Sequence, residues 1–129
     1  MIKVIYVGVG GFLGAILRYV LGTYIGSLTK HLPFYFSTLT VNIIGCILIG
    51  LLTGFFESQK IINPEIRLFL ILGLLGSFTT FSTFSLDTMV LFGEDRFFLG
   101  VLNVFSHVLL GLGGVIAGRA MIGMVLKKL

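Results

Sequence analysis

Apolar residues run along this chain in four long stretches, at 4–25, 37–56, 66–92 and 97–126. About 20 mostly apolar residues carry a helix across a bilayer core, and each stretch meets that length. Three short polar joints separate them: 26–36 with Pro33, 57–65 with Pro64, and 93–96. Pro64, just ahead of Ile66, suits the first turn of a helix, where its missing N–H removes no bond. Polar and apolar residues do not alternate with a period of two, which argues against a β-barrel. The pattern predicts an all-α membrane protein forming a single transmembrane domain over residues 1–129. Its neighbouring helices run antiparallel, and both termini lie on one side of the bilayer.

Composition agrees. Of the 129 residues, 57% are hydrophobic and 11% charged, against about 25% charged in a typical soluble domain. The net charge of +4 is mostly terminal, and no basic run points to nucleic acid. Lys3, Lys127 and Lys128 suit headgroup contacts. With Lys60 and Arg67 on the side of the termini, against Lys30 and Arg96 opposite, the charge bias favours termini inside. The bias is small enough to permit insertion in either orientation. The first apolar run continues past Arg18 without a small-x-small cleavage site, so it is expected to be retained as a span. Cys46, the single cysteine, is expected to pack as a small apolar side chain. Gly10/Gly14, Gly50/Gly54 and Gly114/Gly118 put paired glycines on three helix faces, where helices approach closely.

Polar residues inside the spans are costly and face protein or a water-filled path. Arg18 shares a face with Gly10 and Gly14; it either snorkels to the interface or fixes a positive charge near an anion path. Asn42 shares a face with Thr38, as an interhelical hydrogen bond or a donor to a ligand. Asn103 and His107 are four apart, with Gly111 extending their face. The densest cluster is Ser77-Phe78-Thr79-Thr80-Phe81-Ser82-Thr83-Phe84-Ser85, with six hydroxyls in nine residues and a phenylalanine at every third position. Hydroxyls can satisfy backbone groups freed by a break in a membrane helix, so residues 73–80 are a candidate for non-helical backbone. Asp87 is the only carboxylate within the spans. Donors dominate the set, and a phenylalanine ring is electropositive at its edge. Such a cluster can solvate a small anion, or it can serve packing alone. No catalytic group or nucleotide motif is visible, so neither an enzyme nor ATP coupling is expected.

The run Gly76-Ser77-Phe78-Thr79-Thr80-Phe81-Ser82-Thr83-Phe84-Ser85 closely resembles the signature of the bacterial fluoride channel family, called Fluc or CrcB. Gly14-Ala15-Ile16-Leu17-Arg18-Tyr19, Thr38-Leu39-Thr40-Val41-Asn42 and the Asn103/His107 face agree with it in order. The resemblance implies a passive, selective fluoride channel of the cell inner membrane that lowers fluoride toxicity. It implies an antiparallel, dual-topology homodimer with two pores and a structural sodium ion at the dimer axis. Phe81 and Phe84 would contact fluoride through ring edges, and Asn42 would line the pore. Ser82 and Thr83 would belong to a polar track together with Thr38, Asn103 and His107, and Arg18 would stand near the pore entrance. The backbone carbonyls of Gly76 and Thr79 would hold sodium. Two positions depart from the pattern: Ser77 where the family often has glycine, and Asp87 where it often has glutamate. Three other readings compete, one of them a proton-coupled fluoride exporter that differs in mechanism rather than substrate. A small four-helix multidrug exporter would need an acid in the first span, where this chain has Arg18. A non-transporting assembly subunit would use the glycine faces to hold a partner.

Overall fold

A computed structural model describes residues 1–58 and 63–127; Lys60 and Lys128 lie outside the described residues. Within these, the chain is helical: α1 (Ile2–Thr29), α2 (Phe36–Ser58), α3 (Pro64–Arg67), a π-helical segment (Leu68–Leu75), α4 (Gly76–Phe78), α5 (Phe81–Gly93) and α6 (Phe97–Leu126). Four membrane-spanning helices result: α1, α2, a composite third span over Pro64–Gly93, and α6. The helices outrun the apolar windows at several ends because small hydroxyls continue them. Ser27 and Thr29 donate to the carbonyls of Tyr24 and Ile25 at 2.7 and 2.8 Å, and Ser58 donates to Phe55 at 2.7 Å.

The third span starts as its sequence suggests. Pro64 occupies the first turn, and the Asn63 side chain accepts from the Glu65 N–H at 2.8 Å. Widening of the helix over Leu68–Leu75 has no counterpart in the sequence pattern. Non-helical backbone is confined to Thr79 (φ −85°, ψ 157°) and Thr80 (φ −149°, ψ 119°). It is narrower than the stretch from Gly73 that the sequence suggests, because Gly73 and Gly76 stay helical. Ser77 is helical too and needs no glycine-like backbone. At the far end, α5 closes with Glu94 and Arg96 N–H groups bonded to Val90 and Leu91 carbonyls, both at 3.0 Å. The left-handed residue in this closure is Asp95 (φ 58°); a short polar side chain tolerates that conformation better than most.

The paired glycines pack within the chain. A Cβ at Gly14 would overlap the Leu74 carbonyl oxygen, and one at Gly10 that of Phe69, so α1 lies directly on the third span. Gly73 faces back against Val7 and Gly10. Between α2 and α6 the fit is reciprocal: Gly50 meets the Val115 carbonyl, and Gly118 meets that of Ile47. Val41, Leu75 and Phe78 form the buried core, flanked by Leu21, Ile44 and Leu74. The outer faces carry exposed Val4, Phe12, Leu109 and Ile116, as lipid-facing helices do. Glu57 and Arg119 tie the ends of α2 and α6 with an exposed ion pair.

Gly118→Ala is therefore expected to force α2 and α6 apart and to lower the thermal unfolding midpoint in detergent, at a cost of about 1–3 kcal/mol typical of overpacking. Gly113 lies on the same helix, and a methyl group there would meet nothing within 4 Å. It is expected to accept alanine without loss. Equal midpoints for the two variants would contradict this packing.

Candidate functional site

Asn42 on α2 holds the break in the third span. Its Nδ2 donates to the Thr80 carbonyl at 3.0 Å, and its Oδ1 accepts from the Thr80 N–H at 2.8 Å. A side-chain amide thus pairs with both backbone groups of one residue, as a neighbouring strand would. Thr80 then caps α5: its Oγ1 accepts from the Thr83 N–H at 3.2 Å and lies 3.1 Å from the hydroxyls of both Ser82 and Thr83. These bonds matter for two carbonyls. In an unbroken helix, Gly76 would accept from Thr80 N–H and Thr79 from Thr83 N–H. Both donors are engaged elsewhere, by Asn42 and by the Thr80 hydroxyl. The carbonyls singled out in the sequence for a cation are therefore among those that the break deprives of their helical donors, and hard cations take oxygen ligands of this kind.

Two cavities flank the break, and Thr80 lines both. The first, of about 350 Å³, brings together Asn42, Gly76, Thr79, Phe81, Phe84 and His107, with Cys46 on its α2 wall. Its aromatic rings form a continuous row. Phe81 and Phe84 have centroids 5.4 Å apart at a 55° tilt, and Phe84 and His107 lie 4.4 Å apart. Phe81 is 79% exposed in the single chain, so this row is open on one side. Gly45 makes room for the Thr79 methyl group against α2. The second cavity, of about 260 Å³, brings Arg18 together with Thr38, Thr80 and Thr83. Arg18 makes no ion pair among the described residues.

The buried polar residues form their own links. Thr38 donates to Asp87 at 2.6 Å, joining α2 to α5, with both residues buried. Asn103, fully buried, donates through Nδ2 to Thr88 Oγ1 at 2.9 Å, and Thr88 passes its own proton to the Phe84 carbonyl at 2.8 Å. His107 bonds through Nδ1 to the Asn103 carbonyl at 2.9 Å. Asn103 lines neither cavity, while Ser82 is exposed beside the cap. Sequence reasoning missed Thr80 as the pivot of the break and Thr88 as the bridge between α5 and α6. Thr88 carries a usable signal, standing four residues after Phe84 on one helix face.

Asn42→Leu is expected to leave the Thr80 N–H and C=O without partners, at about 1–3 kcal/mol for each buried group. Amide exchange at Thr80 should accelerate and the unfolding midpoint should fall. Asn42→Asp, which keeps an acceptor but loses the donor, should fall between. Unchanged Thr80 exchange in the leucine variant would contradict the pairing.

Comparison with known proteins bears on this arrangement. Residues 5–119 match the family described as CrcB-like protein, Camphor Resistance (CrcB). A protein of Ruminiclostridium cellulolyticum named fluoride-specific ion channel FluC is 44% identical over 119 residues, 92% of this chain and 91% of its own. One of the same name from Elusimicrobium minutum is 43% identical over 112 residues, covering 87% and 86% of the two chains. FluC 3 of Methanosarcina barkeri is 40% identical over 119 residues, covering 92% and 89%. With a match across nearly all of its length and the broken third span at its centre, this multi-pass membrane protein belongs to the CrcB family.

Proposed function

We propose that the chain forms a passive fluoride channel that releases fluoride across the cytoplasmic membrane and so lowers its toxicity. The relatives named as fluoride-specific channels support the substrate. The observation that carries the mechanism is the break itself. It sets the N-terminus of α5, with its uncommitted N–H groups and positive dipole end, beside two phenylalanine rings and a cluster of hydroxyls. A helix N-terminus favours an anion, and ring edges supply further positive potential. Among the described residues neither cavity is lined by a carboxylate. A dehydrated fluoride would meet Phe81 and Phe84 edges, the second N–H of Asn42, and the Ser82 and Thr83 hydroxyls. Arg18, at the second cavity, would attract fluoride to the entrance, with Thr38, Asn103 and His107 along the track.

The pore is completed by a second, inverted copy in this reading. One chain of four spans is too small to hold an inverted repeat, and an antiparallel homodimer supplies one. The exposure of Phe81 and the open side of the aromatic row suit such a partner, and two copies give two pores. Sodium at the two-fold axis would be held by the Gly76 and Thr79 carbonyls of both copies, whose helical donors the break has redirected. A bound cation supplies fixed positive charge that favours anion occupancy nearby.

Liposomes containing the purified protein are expected to release fluoride quickly and chloride slowly. Phe81→Ile and Phe84→Ile should each slow fluoride release by roughly tenfold, equivalent to about 1.4 kcal/mol of lost ion stabilisation, without dissociating the dimer. No fluoride release from folded, reconstituted protein would refute the channel, and slowed release only in misfolded variants would refute the ring-edge role.

A further inference from the structure

α6 turns a bare acceptor, not a donor, towards the region the ion would cross. Nδ1 of His107 lies 2.9 Å from the Asn103 carbonyl oxygen. A carbonyl only accepts, so Nδ1 carries the proton, and Nε2 of the neutral ring is a bare lone pair. That Nε2 is buried with no hydrogen-bond partner, although the ring lines the cavity shared by Asn42, Thr79, Phe81 and Phe84. Asn103 adds a second orphan. Thr88 commits its proton to the Phe84 carbonyl, so the Asn103 atom facing it must be the NH₂ group, and Oδ1 is left buried and unpaired. Native structures leave few such atoms unpaired, and each points to a missing partner. The His107 lone pair, at the cavity wall, repels an anion.

We propose that His107 makes this cavity a proton-linked anion site: Nε2 takes a proton from the aqueous side, and the imidazolium donates it as an N–H···F⁻ hydrogen bond beside Phe84. This rests on the fluoride reading and adds its regulation. The protonated ring holds the ion; when the ion moves on, the proton returns to the aqueous side it came from, which restores the lone pair, and no covalent bond changes elsewhere. The titratable groups near the ring are the Asp87 carboxyl on α5, outside the cavity, and the Cys46 thiol, which lines the cavity from α2; Ile71, Leu75 and Gly76 line it from the π-helical segment and α4. Asp87 already accepts from Thr38, so it does not supply the donor that fluoride needs. Fluoride occupancy at this wall thus rises as pH falls.

The test uses ¹⁵N-histidine-labelled full-length protein carrying His31→Gln, so that His107 is the only histidine, titrated by NMR in sodium fluoride and in sodium gluconate. The neutral ring is expected to show the Nδ1–H tautomer. The imidazolium signal should persist to a pH about one unit higher in fluoride, the roughly tenfold effect of one charge-assisted hydrogen bond. In parallel, fluoride binding by calorimetry should tighten about fivefold between roughly pH 7.5 and 5.5, and His107→Gln, whose amide donates at every pH, should bind equally at both. An Nε2–H tautomer, or a titration indifferent to fluoride in protein that releases fluoride from liposomes, overturns the inference and leaves the channel reading standing. Protein that releases no fluoride at either pH overturns both.

Discussion

One side-chain amide paired with both backbone groups of one residue organises this molecule. A membrane helix cannot be interrupted cheaply, because the freed N–H and C=O have no water to bond. Asn42 removes that cost for Thr80 by satisfying both groups at once, at 2.8 and 3.0 Å. With Thr80 held extended, its hydroxyl is free to cap α5 and start a new helix. The ends of two half-helices then meet inside the span, which brings the carbonyls of α4 and the N–H groups of α5 to the same depth.

That juxtaposition explains why the surrounding residues sit where they do. The break separates a cavity with an aromatic row from one containing Arg18, and Thr80 belongs to both. Glycine contacts fix the walls. Gly10 and Gly14 hold α1 against the third span, Gly50 and Gly118 hold α2 against α6, and Gly45, against the Thr79 methyl group and the Phe78 ring, lets α2 approach the break close to Asn42. Thr38–Asp87 and Asn103–Thr88 then lock α5 to its neighbours on either side. The donor and acceptor balance is uneven: α5 brings donors at its N-terminus, while α6 brings two unpaired acceptors. A small anion passing between them, as proposed, would be sensitive to the one acceptor that can take up a proton.

Much of this was readable in the chain. Hydropathy located the four spans, Pro64 marked the start of the third, and the hydroxyl-rich run marked its break. The glycine pairs indicated close helix approach, which the structure realises inside one chain. What was not readable depends on register between helices. Nothing in the spacing of Asn42 says that it meets Thr80, thirty-eight residues away, rather than a ligand. The aliphatic run Leu68–Leu75 gives no sign of its π-helical winding. His107 was visible as a polar intramembrane residue, but its tautomer follows from its distance to a carbonyl, which only the folded chain sets. The left-handed turn fell on Asp95 although Gly93 stood two residues earlier.

The most direct test is the reversal potential of currents through the protein in planar bilayers, measured with opposed fluoride and proton gradients. A passive channel whose protonatable wall tunes occupancy predicts reversal at the fluoride equilibrium potential whatever the pH difference, since a site that gains and loses its proton on one side moves no net proton. A reversal that shifts with the pH gradient, or an absence of fluoride current from folded protein, would contradict it.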